Sequence, residues 1–415
     1  MKLLWLNHFV PYPPAGGALQ RTYHLLRSTA SRHEVHLVAL NQRRLLPEPD
    51  GLASAVRALS AFCASVQVFP LKSEQAAVNR IATLASAVLG RDPFDVVWLR
   101  SDAIRAALEE LRARHAFDVV HVDTIGLWPE VAALSGLPVV LNHHNIESEL
   151  VARRAMLDDR RLRSTLVRRE SRKLRRLERV AALQAATNVV VSQLDRERLV
   201  AIAPAASIHI VPNGVDTSYF QPAVPTTSDR SLVFAGTLSW FPNRDAIDFL
   251  LRDIWPALLA KQPNRQLTLV GRDTPSSALS SAIDPRVIVT GFVSDVRPHI
   301  GSAAVYVCPL RVGGGTRLKI LDALALGKPV VATAIAVEGL GLVEGVHYLG
   351  AETAADFVGQ VERLESDAGL RESLGRLGRQ HVVEHCDWNV VCDSLESAFR
   401  DATSRARSPH AVATT

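Results

Sequence analysis

Short β-rich apolar runs alternate along the chain with longer stretches in which apolar residues recur at helical spacing. In the first half the runs are LLWL (3–6), EVHLVAL (34–40), SVQVF (65–69), DVVWL (95–99), DVVHV (118–122), LPVVLN (137–142), NVVVS (188–192) and IHIVP (208–212). The second half repeats the rhythm with LVFAG (232–236), QLTLVG (266–271), RVIVTG (286–291), AVYVCP (304–309) and PVVAT (329–333). Runs of this kind, apolar without a polar face, predict strands buried on both sides in parallel sheets covered by helices. The stretch 352–403 reads as helical, and the last dozen residues, SRARSPHAVATT, as frayed. Between the halves, VPNGVDTSYFQPAVPTTSDR is rich in Pro, Gly and Ser and marks a boundary near 212–230.

Length agrees with that division. A chain of 415 residues exceeds what one hydrophobic core usually supports, and 47% hydrophobic content supplies two. The reading is α/β, with two doubly wound, Rossmann-like parallel-sheet domains facing each other across a cleft. In such sheets ligands bind beyond the carboxyl ends of the strands. The formal charge of +5 is mild for this length and excludes a nucleic-acid-binding arm. Only six of the 47 basic residues are Lys, so Arg abundance alone says little about anion binding. Cys63, Cys308, Cys386 and Cys392 form no CxxC pair, which argues against zinc and a disulfide framework and for a reducing, cytoplasmic compartment. No run of 18 apolar residues occurs.

Candidate chemistry therefore lies in loops that follow strands. After the first strand, Gly16-Gly17 opens a helix whose free N–H groups suit an anion, although a Gly-Gly pair by itself is more often plain turn chemistry. LPVVLN ends in His143-His144-Asn145, where two adjacent imidazoles point different ways, so that at most one serves a cleft; a loop His that merely packs is an equal reading of these residues alone. FAGTLSWFPNRDAIDFL places Thr237 at a strand end and Arg244 at a helix start, a solvated position as readily as a phosphate contact. PLRVGGGTRLKILDALALGKPVVAT is the most informative segment. It predicts a helix from Thr316 to Leu326 after Gly313-Gly314-Gly315, with Thr316 as N-cap, Arg317 and Lys319 in the first turn, and Asp322 further along. Cations there oppose the helix dipole unless an anion is bound.

In this order and spacing, PYPPAGGALQRTYHLL, LNHHNIESE, VPNGVD, VIVTGFVSD and the GGGTRLK segment resemble the family 4 glycosyltransferases of GT-B fold, in particular bacterial members that build surface or extracellular polysaccharide. The resemblance implies a retaining transfer from a nucleotide-sugar donor to a saccharide or lipid-linked acceptor. It implies an acceptor domain over 1–212, a donor domain over 213–385, and a helix over 386–415 packing back on the first domain before a frayed tail. The family's Gly-rich loop corresponds to Gly16 and Gly17, its strand-end His to His144 as catalytic residue, and its donor loop to Gly313–Asp322, with Gly314, Gly315, Thr316, Arg317, Lys319 and Asp322 as substrate-binding residues. The chain departs where the family commonly has two Glu residues, here Gly314 and Asp322. It departs again where the family has a cationic pair, here Thr237 and Asn243; Arg244, Arg317 and Lys319 remain as sources of positive charge.

No Asp-x-Asp motif is present, so the expectation is a metal-independent enzyme without a cofactor. Residues 153–179 hold twelve Lys and Arg against four Asp and Glu. This basic stretch is either a solvated helical face or a peripheral contact with an anionic membrane at its inner side; no interleaved aromatics suggest nucleic acid. Two other functions share the architecture, a nucleotide-sugar epimerase and a non-catalytic nucleotide or sugar binder. A dehydrogenase is disfavoured because no GxGxxG follows the first strand.

Overall fold

The computed structural model describes residues 1–14, 17–43, 45–46, 48–132, 134, 136–156, 161–222, 230–272, 284–313 and 317–407. The chain divides into two compact units, Met1–Val211 together with the chain from Cys392 onward, and Pro212–Val391.

The first unit is built on a seven-stranded sheet of β1 (Lys2–Asn7), β2 (Glu34–Asn41), β3 (Ser65–Pro70), β4 (Val119–Val122), β5 (Val139–Asn142), β6 (Thr187–Val190) and β7 (Ile208–Ile210). Every pairing is parallel and the order is β3-β2-β1-β4-β5-β6-β7. Successive residues Leu3, Leu4, Trp5 and Leu6 are all fully buried, which explains why the strand reads as an unbroken apolar run. The helices used below are α1 (Gly17–Ala30), α2 (Ala77–Leu89), α3 (Phe94–Leu99), α4 (Glu147–Met156) and α5 (Arg161–Gln184).

The second unit repeats the plan with β8 (Ser231–Ala235), β9 (Gln266–Val270), β10 (Val287–Gly291), β11 (Val305–Cys308), β12 (Val330–Ala332) and β13 (Leu349–Gly350) in the order β10-β9-β8-β11-β12-β13. Its helices include α6 (Phe241–Phe249), α7 (Leu318–Ala325), α8 (Ala354–Ser366) and α9 (Ala368–His385). Both sheets therefore reverse their winding beside the first strand, between β1 and β4 and between β8 and β11. Those are the topological switch points at which doubly wound sheets leave a crevice for ligands.

The final helix, α10 (Trp388–Arg407), joins the first unit from Cys392 onward. Phe399 packs edge-on against Trp5 at 6.5 Å, and Glu396 meets His33 at 2.6 Å. Four predicted details change. DVVWL is not a strand but α3: Pro93 supplies an extended N-cap position, and the buried Val96 and Leu99 lie three apart, on one helical face. A four-residue apolar run carries no period to separate the two states. The short β13 at the edge of the second sheet was not predicted. α7 begins at Leu318, not Thr316. Ser404–Arg407 complete α10 instead of fraying; the rest of the tail lies outside the described residues. All four cysteines are buried free thiols, and no described helix is long and apolar enough to cross a membrane.

Candidate active site

At the switch point of the first sheet, the carboxyl ends of β1, β4 and β5 bring His8, Asp123 and His144 together. Asp123 is fully buried. It accepts from Thr22 Oγ1 of α1 at 2.6 Å and from Asn142 Nδ2 at 2.7 Å, and His144 Nε2 lies 3.3 Å from its Oδ2. Burial opposes its ionisation, but the neighbouring His144 and hydrogen bonds from the imidazoles outweigh it and hold the carboxyl well below the usual range. Arg21, also fully buried, donates through Nη2 to Asn142 Oδ1 at 3.2 Å and to Val211 O at 2.9 Å. His8 stacks edge-on toward His144 at 6.1 Å, and burial together with that neighbour pulls its pKa down to about 4.

The two histidines of the HHN segment separate as their alternation along the chain requires. His143 is buried, with Nε2 3.0 Å from Asn188 Oδ1 on β6. His144 keeps part of its ring open, and both histidines line a small recess with Thr124, Ile125, Asn142, Asn145 and Glu147. Glu147 accepts from Asn145 Nδ2 at 3.2 Å, and burial, reinforced by Asp95, pushes its carboxyl up to about 8. A carboxyl whose pKa is raised to about 8 thus sits in the same recess as an imidazole.

The second unit has its own cluster at the β8/β11 switch point. Gly236 directly follows β8 at φ +152°, a conformation that favours glycine, and a Cβ there would lie 2.9 Å from both Lys319 Nζ and Asn243 Nδ2. Lys319, in the first turn of α7, donates to Asn243 Oδ1 and lies over the Phe234 ring at 4.6 Å. Asn243 in turn donates to Thr237 O at 2.7 Å. Thr237 and Asn243 are therefore joined here to the Lys319 ammonium, which α7 supplies. Burial pulls Lys319 down to about 8 and pushes Asp322 up to about 7. Asp322 Oδ1 is buried without a hydrogen-bond partner among the described residues.

Arg317 occupies the N-cap position of α7 in an extended conformation, so only Lys319 of the two cations is in the first turn. Its guanidinium is buried against Gly313 and lies 3.9 Å from the Glu338 carboxylate. Arg244 is exposed on α6 and makes none of these contacts. Gly17 starts α1; Gly16, Gly314, Gly315 and Thr316 lie outside the described residues. Sequence reasoning passed over His8, Arg21, Thr22, Asp123 and Glu147. Asp123 directly follows a strand in VHVDT and was open to the same rule that picked out His144. One group with metal-ligand chemistry occurs among the described residues, Glu34, His36 and His115, at the amino end of β2. There the Glu34 carboxylate already meets Lys2 Nζ and His36 Nε2, each at 3.0 Å.

Comparison with known proteins bears on these two sites. Residues 15–219 match the family model described as Glycosyltransferase Family 4, and residues 229–367 match that described as Glycosyl transferases group 1. The chain is 24% identical over 332 residues to the alpha-maltose-1-phosphate synthase of Mycobacterium tuberculosis, covering 72% of this chain and 82% of that one. It is 24% identical over 252 residues to the GDP-mannose:cellobiosyl-diphosphopolyprenol alpha-mannosyltransferase of Xanthomonas oryzae, covering 57% and 64%. The sucrose-phosphate synthase of Thermosynechococcus elongatus shares the fold with a TM-score of 0.73 at 17% identity, over 97% of this chain and all of that one. With matching models on both units and two GT-B sheets, the chain is a glycosyltransferase of the group 1 and family 4 type.

Proposed function

We propose that the protein is a retaining glycosyltransferase that moves a sugar from a nucleotide-sugar donor to a saccharide or lipid-linked acceptor in surface or extracellular polysaccharide synthesis. The observation that carries this reading is the Lys319–Asp322 cluster. A cation and an unpartnered buried acceptor stand on one short helix, at the carboxyl edge of a doubly wound sheet. That combination suits a diphosphate and a ribose hydroxyl. The mannosyltransferase relative, named for GDP-mannose and a diphosphopolyprenol-linked acceptor, supports donor and acceptor class alike.

In the transfer, the bond from the anomeric carbon to the leaving phosphate breaks as the bond to the acceptor oxygen forms on the same face. The acceptor proton passes to the departing phosphate. Lys319 offsets the charge that develops on the diphosphate, with its neighbours fixed in place beforehand. The donor is assigned to the second unit and the acceptor to the first, where His144 contacts substrate in the recess it shares with Glu147. The enzyme works at the inner face of the cytoplasmic membrane, where exposed Arg168, Arg169, Arg172 and Arg175 of α5 meet acidic lipid.

A thermal-shift panel of nucleoside diphosphates tests the reading. At 100 times its dissociation constant, the matching nucleotide is expected to add about 2.7 kcal/mol of stability. Stabilisation and transfer are both expected to persist in excess EDTA; loss of transfer with rescue by manganese overturns the metal-free scheme. His144→Ala is expected to lower kcat by more than about tenfold, or about 1.4 kcal/mol of barrier, and His143→Ala far less. The reverse order would move the role to the neighbouring ring.

A further inference from the structure

α2 is built inside out. At 100° per residue, Leu84, Val88, Ile81, Val78 and Leu89 fall on one arc of roughly 140°, and Asn79, Thr83 and Ala87 on the opposite side. In an ordinary surface helix the first set faces the core. Here the second does. Ala87 is the one buried residue of the helix. Asn79 Nδ2 donates to Lys72 O at 3.1 Å, and Lys173 of α5 donates to Ala87 O. The aliphatic side chains face solvent, with Val78 75% exposed, Ile81 66% and Leu89 80%; Leu84 and Val88 are exposed as well. A contiguous exposed aliphatic stripe marks a surface that something covers; its last residue, Leu89, also borders a recess with Ala85, Arg91, Asp92 and Arg100.

We propose that this stripe inserts into the interfacial layer of an anionic lipid bilayer and is the apolar anchor of the enzyme. The charge around it selects that partner. The single charged residue of α2 is Arg80. Lys173 also donates to Asp92 O at 3.2 Å, which brings α5 alongside the end of α2. Within one turn of Lys173, α5 exposes Arg169, Arg172 and Arg176. The nearby acids are engaged: Asp92 pairs with Arg100 at 2.7 Å, and Glu74 accepts from Arg43 N at 2.8 Å. An aliphatic stripe beside a cationic row is the pattern of a helix lying in a membrane surface. A second copy of the chain would set the same cations against each other around the stripe. None of the residues that line the recess of His144 belongs to α2, so the anchor is separate from the transfer chemistry. The inference deepens the reading of an enzyme working at a lipid-linked acceptor by naming the element that holds it there.

The test is flotation of the full chain with vesicles of phosphatidylcholine alone or with phosphatidylglycerol added. The parent is expected to float with the anionic vesicles and hardly at all with the neutral ones. The combined variant Ile81→Gln, Leu84→Gln, Val88→Gln and Leu89→Gln keeps good helix formers on α2. It is expected to lose at least about tenfold in partitioning, with unchanged circular dichroism and nucleotide-induced thermal shift. Arg169→Gln with Arg172→Gln and Arg176→Gln is expected to leave a weaker, salt-insensitive residue of binding. A parent that ignores anionic vesicles, or a glutamine variant that binds like the parent, overturns the proposal. A parent that is dimeric by light scattering, dispersed by the same glutamines and without vesicle binding, assigns the stripe to a second copy instead. None of these readouts uses transfer, so failure here leaves the glycosyltransferase reading standing.

Discussion

Lys319→Ala is expected to weaken binding of the matching nucleoside diphosphate roughly ten- to a hundredfold, while hardly changing binding of the nucleoside. The range corresponds to about 1.5–3 kcal/mol for a lost charged hydrogen bond. The pH dependence follows from the same residue. Burial sets the Lys319 pKa at about 8 in the free protein, and a bound anion favours the charged form. Affinity in the parent is therefore expected to fall as pH rises above about 8, by up to about tenfold per unit, and to stay flat in Lys319→Ala. Asp322 should fail differently. Asp322→Ala is expected to weaken nucleoside and diphosphate alike, because the ribose is common to both. With its carboxyl pushed up to about 7, Asp322→Asn is expected to track the parent below that pH and fall behind above it. Titration calorimetry of both ligands against these variants decides the matter. Intact nucleotide binding in Asp322→Ala would remove the ribose from this helix. Arg317→Ala is a poorer probe, because that guanidinium is buried beside Glu338 and its loss also disturbs packing.

The second large effect concerns Asp123. Removing this carboxylate takes the acceptor from Thr22 and Asn142 and the counter-charge from the buried Arg21 and His144. Breaking such a buried set typically costs about 3–5 kcal/mol, the expected loss for Asp123→Ala at pH 7 by urea unfolding. The sign with pH is fixed by the direction of the shift. A carboxyl held below its unfolded value contributes stability above about pH 4, and that contribution is lost as pH falls toward its folded value. The gap between parent and Asp123→Asn is therefore expected to be widest near neutrality and to narrow below about pH 4. A gap that grows on acidification would mean that Asp123 is protonated in the folded protein.

Much of this architecture is written in the chain. The runs around Trp5, Val120, Val140, Phe234 and Val307 are apolar on both faces, and only a covered parallel sheet uses such runs. The rule that ligands gather beyond strand ends leads directly to His144 and Lys319. What it misses depends on distance along the chain. Nothing local to Thr22 or Arg21 says that α1 will lay them over Asp123 and Asn142, about a hundred residues on. Nothing local to Asp322 or Glu147 reveals that burial keeps their protons near neutral pH. Periodicity failed in DVVWL, where the run is too short to have a period.

The path of α10 has a consequence for the making of the protein. Because the first unit ends only after Cys392, the second is an insertion within it, and the chain crosses between them near Val211 and again near Val391. Trp5 is synthesised long before Phe399, the residue it meets. The inserted unit is complete in sequence while its host still lacks the helix that covers β1. A nascent chain therefore has one half able to mature before the other, and the exposed Trp5 edge is the surface for a chaperone to guard until α10 has been made.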